Sequence, residues 1–439
     1  MGVCRRMLPW FAAAGALWVG GCGATDDVLD EEITDEGSIE AGSVEEVVET
    51  DAQALTEGAP ITTHNASCLH LTDQNTWSTY ASYMAQVPNA RSVGDVLLDL
   101  NRAGPMLTSS TRPAATGYKG GFRWNDGDMA TADWIPQGMT AGVAAGKNVL
   151  LTAWHYPKTP DKGVRVSLVD ISDMSGSAVN YRHLLMVRPT AAGNFTTVPI
   201  HGGGLTWYGN YIYMADTSNG IRVFDLTQIR EVNTSATCED AIGKTGSVWC
   251  AYGYKYVLPQ VSAYVVPSSI AKPCKPTFSW LGKDTRASSS VVLSGEYCNA
   301  GDSPCPNGGT AGLGGRLYRW PVDTATNRLK LTSGVVRPER AYVMNEPNVQ
   351  GVAPIMTNDD TTSYWLSSTR YGGALFKVST TASRTAYLSG SSQWVRMPQG
   401  MHATASGTNL WTDTEGYESV TNPATGGRVV VYVNQASVD

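Results

Sequence analysis

Trp134-Ile-Pro-Gln-Gly-Met-Thr140 and Val395-Arg-Met-Pro-Gln-Gly-Met-His402 carry the same tetrapeptide, Pro-Gln-Gly-Met, in the two halves of one chain. Weaker copies lie between them, at Pro199-Ile-His-Gly-Gly-Gly-Leu-Thr206 and Asn348-Val-Gln-Gly-Val-Ala353. Each copy is followed by an apolar run, at 148–154, 211–215, 364–367 and 409–412. A loop and a run of alternating character come next, at 164–171, 221–226, 373–378 and 428–433. A degenerate fifth unit fits between, with strands expected at 277–281, 290–295 and 316–321. The unit is therefore a glycine turn, a strand, a loop and a strand, with a more variable fourth strand. Four-stranded units repeating at roughly 50 to 75 residues are the sequence signature of a β-propeller. A glycine at the start of each inner strand suits the crowded axis, where a Cβ would collide.

The expected fold is all-β: a β-propeller of five blades over 120–439. A sixth blade would follow if Gly120-Gly-Phe-Arg-Trp124 opens a unit of its own. A solenoid would need shorter, more regular repeats, and a β-sandwich would not repeat Pro-Gln-Gly-Met in this way. Composition agrees: 46 Gly, 13 Trp and 20 Tyr with only 16% charged residues suit many short strands and tight turns. Residues 63–119 read as an N-terminal cap. Apolar residues there recur at helical spacing over 77–87 and 93–101, and Ser92 with Asp95 has capping-box spacing.

The beginning of the chain reads as an address. Arg5 and Arg6 form a positive region, and 7–19 is an apolar stretch too short to span a bilayer. Val19-Gly20-Gly21-Cys22 resembles a bacterial lipobox, with Val where Leu is commonest, so 1–22 is expected to be a lipoprotein signal peptide and Cys22 the lipidated residue. An ordinary signal peptide is the competing reading, and the Arg pair also suggests twin-arginine export, against which Pro9 counts. Residues 23–62 read as an acidic, disordered tether: 23–60 hold 13 Asp or Glu and no Lys or Arg. The total of −7 combines +2 from the leader and −13 from that stretch, which leaves +4 for the rest. So dilute a charge excludes a nucleic-acid footprint. The expected location is the cell envelope, anchored by lipid, with the outer membrane favoured because Gly23 is not the Asp of a retention signal, or else outside the cell.

Six cysteines remain after Cys4 and Cys22, an even number suited to disulfides in an exported protein. The expected pairs are Cys238 with Cys250 and Cys298 with Cys305, each flanking a short loop, leaving Cys68 with Cys274; fifteen pairings are formally open. No Cys-x-x-Cys occurs, which argues against zinc.

From about Gly120 to Val433 the chain resembles a family of secreted β-propeller proteins from actinobacteria and other soil bacteria. The features that carry the likeness are Trp-Ile-Pro-Gln-Gly at 134–138, His-Gly-Gly-Gly-Leu-Thr-Trp-Tyr-Gly at 201–209 and Ala-Asp-Thr-Ser-Asn-Gly-Ile-Arg-Val-Phe-Asp-Leu at 215–226. Tyr-Gly-Tyr-Lys-Tyr-Val-Leu-Pro-Gln at 252–260, Gly-Glu-Tyr at 295–297 and the closing stretch 411–417 belong to it too. The resemblance implies fold and export. The family has no assigned activity, so no catalytic residue is carried over.

Ligands of propellers sit at a mouth of the central channel. Two repeat positions supply polar groups there. The first, before the glycine, holds Gln137, His201, Gln350 and Gln399. The second, after the next strand, holds His155, Asp216, Glu296, Thr369 or Arg370, and Asp413 with Glu415. Solvated loop charges and inter-blade hydrogen bonds are the competing readings. If the groups converge, Gln137, His155, Asp216, Glu296, Gln350, Gln399, Asp413 and Glu415 are ligand-binding. Asp216, Glu296 and Glu415 would suit calcium, a cation of six to eight oxygen ligands. His201 or His402 would then activate water. Gly243-Lys-Thr245 is not a P-loop, because Cys238 stands where that motif needs Gly, and no Gly-x-Ser-x-Gly or His-Glu-x-x-His occurs. The leading expectation is a lipid-anchored module binding a small molecule, glycan or protein. A calcium-dependent lactonase- or esterase-type hydrolase and a docking platform in an envelope complex are the alternatives.

Overall fold

In a computed structural model, residues 60–286, 290–299, 315–356, 362–382, 385–391, 393–416 and 426–439 are described. The leader with Cys22, the acidic tether up to residue 59, and Cys305 lie outside them. The described part is all-β in character, with 28 strands and four short α-helices. No described helix is long and apolar enough to cross a membrane.

Most of the strands belong to five antiparallel meanders of four among the described residues. The first is Ile135–Ala144, Lys147–His155, Val164–Asp170 and Ala178–Ala191. The second is Leu205–Tyr208, Tyr211–Asp216, Gly220–Asp225 and Tyr256–Val265. The outer strands of these two pair in parallel through Val257 and Leu185, which merges them into one larger sheet. The third is Trp280–Asp284, Val291–Gly295, Arg316–Asp323 and Arg340–Val343, and the fourth is Val349–Pro354, Tyr364–Ser368, Ala374–Val378 and Thr385–Leu388. The fifth takes Pro398–Ala403, Asn409–Thr414 and Val429–Asn434 from the end of the chain and Tyr118–Arg123 from the beginning. Gly120-Gly-Phe-Arg therefore opens no sixth unit. Its edge is the partner that Val429–Asn434 would otherwise lack.

The first strands of the meanders crowd together. A Cβ on Gly138 would collide with Gly204, on Gly204 with Leu281, on Gly282 with Val352, on Gly351 with Gln399, and on Gly400 with Met139. That order returns to its start. Five hydrophobic clusters follow the same order, each shared by two consecutive meanders. Leu151 of the first packs with Met214 of the second, Tyr213 of the second with Trp320 of the third, and Leu293 of the third with Phe376 of the fourth. Leu375 of the fourth packs with Met401 of the fifth, and Trp411 of the fifth with Trp154 of the first. Trp124, Trp154, Trp280, Trp320, Trp365 and Trp394 are fully buried, so these rings serve packing and cannot be platforms for sugars.

The N-terminal segment runs along the outer edges of these sheets. Thr62–Thr63 pairs with the third meander, Thr72–Asp73 with the second and Arg102–Pro105 with the first. Between them lie α1 (Trp77–Met84) and α2 (Val93–Leu97). Ser92 accepts from the Asp95 amide while the Asp95 carboxylate accepts from the Ser92 amide, the complete capping box. Arg230 donates to the carbonyls of Met84 and Val87 and so closes the C-terminal end of α1. Disulfides join Cys68 to Cys274 and Cys238 to Cys250; Cys298 is also disulfide-bonded.

Candidate functional site

The recurring Pro-Gln-Gly-Met has a local structural meaning. In three inner strands the pairing register breaks at this point, between Pro136 and Met139, between Val349 and Gly351, and between Pro398 and Met401. Each break is a β-bulge that accommodates an extra residue. Gln137, Gln350 and Gln399 therefore sit in equivalent irregularities. Gln137 and Gln399 are buried and Gln350 is half-buried.

Asp413 faces the last of these bulges, because Thr412 pairs with Met401 and Thr414 with Pro398. It is enclosed, and neither carboxyl oxygen completes a hydrogen bond. Burial pushes its pKa well above the usual carboxylate range. Its own amide and that of Gly400 lie close enough to ease this partly, and the charge on Glu415 adds to the rise. Gln399 donates from Nε2 to Glu415 Oε2 at 2.7 Å, while its Oε1 is buried without a partner. Three buried polar atoms, the two Asp413 carboxyl oxygens and Gln399 Oε1, thus lie unsatisfied around one bulge. Orphaned buried acceptors are uncommon, since each costs about 1–3 kcal/mol.

His155 lies two residues shallower than Asp413 in the repeat. It pairs with Ile135, and the equivalent bond in the fifth meander runs from the Glu415 amide to the Met397 carbonyl. The His155 and His201 rings are 4.2 Å apart, centroid to centroid, tilted by 45°. Burial, with the neighbouring His201 adding to it, lowers His155 to about 3. His201 itself is exposed. His402 is elsewhere: burial and then the charge of Lys283 lower it to about 3.

The remaining acids are committed to arginines. Asp216 accepts from Arg222 Nε at 2.6 Å and from Asn219 at 3.1 Å. Glu296 accepts from Arg316 Nε at 2.8 Å, Arg316 Nη2 at 2.7 Å, and the amides of Arg316 and Thr277. A calcium ion would have to displace a half-buried guanidinium at Asp216 and a buried one at Glu296. Among the described residues no three or more His, Cys, Asp or Glu side chains are grouped so as to hold a metal. Thr369 and Arg370 lie at a turn, where the Arg370 amide donates to Ser368 Oγ.

One cluster was invisible to spacing arguments. Asp128, on a short helix over Asp126–Ala130, accepts from Arg165 at 3.0 Å and Tyr181 at 2.7 Å, and His183 Nε2 lies 3.0 Å from it. Ser167 Oγ is 2.9 Å from His183 Nδ1 and accepts from Trp154 Nε1 at 2.7 Å. The indole proton leaves the hydroxyl only Nδ1 to donate to, so Nε2–H faces Asp128. Burial first, then Arg165, lower His183 to about 3 despite the opposing carboxylate, so the ring is neutral. The connectivity is that of a Ser-His-Asp triad. All three side chains are buried, however, and Ser167 is completely enclosed. No substrate carbonyl can reach that oxygen, and the group acts as an internal polar brace.

Compared with known proteins, the chain matches no family model. It matches no curated protein either.

Proposed function

We propose that this chain is an exported, lipid-anchored five-bladed β-propeller that binds a small, hydrogen-bond-donating ligand at one mouth of its axis. In this reading each meander is a blade and the bulged glutamines mark the channel. The order in which the inner glycines crowd one another, returning to the first, supports the propeller. The disulfides suit an oxidising compartment. The leader, the lipobox-like Val19-Gly-Gly-Cys22 and the acidic tether support export and anchoring.

The observation that carries binding is the set of orphaned acceptors at Asp413 and Gln399. A ligand bearing hydroxyl or amine donors would satisfy them and recover what burial costs. Gln137, Gln350 and Glu415 complete the polar surroundings. The decisive experiment screens polyols, amino sugars and diamines by thermal shift on the intact chain. Stabilisation by a ligand that disappears in both Asp413→Asn and Gln399→Leu supports the site. A ligand that binds both variants as tightly as the wild type overturns it. Glu296 is an unsuitable target, because breaking its buried ion pair with Arg316 costs about 3–5 kcal/mol in itself. Anchoring is checked by metabolic labelling with a fatty-acid analogue, which should mark the wild type and leave Cys22→Ser unlabelled.

A further inference from the structure

Most buried cations in the described structure have an evident counter-charge or a ring of carbonyls. Arg165 has Asp128, Arg316 has Glu296, and Arg286 and Arg319 share Asp284. Arg230 and Arg428 are surrounded by backbone carbonyls. Lys283 is different. It belongs to the inner strand Trp280–Asp284, its ammonium lies 4.8 Å from the centroid of the Tyr208 ring, and no described carboxylate is within ion-pair distance of it. The Tyr208 hydroxyl is spent on the carbonyls of Asp284 and Val291, so Tyr208 offers the amine only its ring face. The adjacent Asp284 is held by Arg286 and Arg319.

A second base lies close by. His402 stands on the inner strand Pro398–Ala403, and the charge on Lys283 opposes its protonation. The inner strands of the third and fifth meanders are not neighbours around the ring, yet they approach each other. The two bases thus stand on inner strands that approach each other, near enough for the charge of Lys283 to reach the imidazole. Both side chains keep partial solvent exposure. Burial depresses both, and no carboxylate offsets the effect on either. A cation–π contact recovers only part of what an ammonium loses on leaving water.

We propose that Lys283 and His402 form an anion site on the axis, which takes the carboxylate or phosphate group of a small ligand. An anion there would make a charge-assisted hydrogen bond with the ammonium, and by favouring the protonated imidazole it would gain a second donor from His402. This site is distinct from the acceptors at Asp413 and Gln399. Lys283→Met leaves those side chains in place, so the two readings fail separately.

The test uses the intact chain at low, constant ionic strength, with sodium phosphate, acetate and succinate as probes and chloride as the control. Calorimetry should show one saturable site for phosphate or for the carboxylates, and which of them binds assigns the class. Lys283→Met should weaken binding by about tenfold or more, and Lys283→Arg should retain it. In the wild type, the bound anion should also slow acylation of Lys283 by an amine-reactive reagent, read by peptide mass spectrometry, while exposed lysines react unchanged. That measurement does not depend on a variant folding. Absence of saturable binding by every probe, binding unaltered in Lys283→Met, or acylation of Lys283 indifferent to the anion would each overturn the proposal.

Discussion

Asp413 is a carboxyl group placed where a carboxylate is hard to keep. Its raised pKa has a definite sign in the stability of the fold. An acid whose folded value exceeds its unfolded value contributes stability at low pH and loses it as pH climbs from the unfolded value towards the folded one. Asp413→Asn carries no such penalty. It should match the wild type near pH 4 and exceed it increasingly towards pH 8, by on the order of 1–3 kcal/mol, in melting curves taken across that range. An Asn variant no more stable at any pH would count against a strained acid. The histidines act the other way. His155, His183 and His402 sit at about 3 in the fold against 6.5 ordinarily. The unfolded chain then binds more protons between those values, so stability is lost as pH falls from 6.5 towards 3. Burial of Asp128 is outweighed by His183, Arg165 and Tyr181, which hold its pKa below the usual range and add to the same acid loss. Urea titrations should show a steep decline across that window, and His402→Gln should make it shallower.

At the scale of the element, the inner-strand glycines are the positions with least freedom. In Gly204→Ala the methyl group would press into the Leu281 amide, which belongs to a backbone that cannot move aside. The cost should be about 3 kcal/mol or more, read as a large fall in melting temperature or as loss of soluble protein. Gly246→Ala is the comparison: it meets open space and suffers only from its positive φ, so about 1 kcal/mol is expected. Equal losses in the two would contradict the crowding. The glycines were legible in the sequence because they recur with their glutamines. The strands were legible too, since apolar runs follow each copy. What spacing could not supply was the bulge. Spacing grouped His155 with both Asp413 and Glu415, and only the pairing places it level with Glu415. Nor do single residues announce themselves. Ser167, His183 and Asp128 are far apart in sequence and recur nowhere, and Lys283 stands in the most degenerate of the repeats. Asp216 and Glu296, grouped with Glu415 at one repeat position, looked like free acids because the arginines that neutralise the first two come from the following strand.

At the scale of the whole molecule, the two disulfides whose partners are both described close loops of very different length. Cys68 and Cys274 are 206 residues apart and Cys238 and Cys250 only 12. If each acts by restricting the unfolded chain, the first contributes about 5 kcal/mol and the second about 3 kcal/mol. The double variant Cys68→Ser/Cys274→Ser should therefore unfold at lower urea than Cys238→Ser/Cys250→Ser. The reverse order would mean that local strain or residual structure outweighs loop length. The same scale explains why Gly120-Gly-Phe-Arg-Trp124 was misleading: a strand followed by a turn reads as the start of a unit, and only the pairing shows that it completes the last one.

That pairing also orders events in time. A ribosome makes Tyr118–Arg123 long before its partner Val429–Asn434, about 300 residues later. Until Val429–Asn434 emerges, the early strand lacks the edge that it joins in the fifth meander. The molecule therefore cannot finish folding piecemeal as it is synthesised. A chain cut before Val429 would be left with two open edges, each ready to pair with a neighbouring chain in the same state.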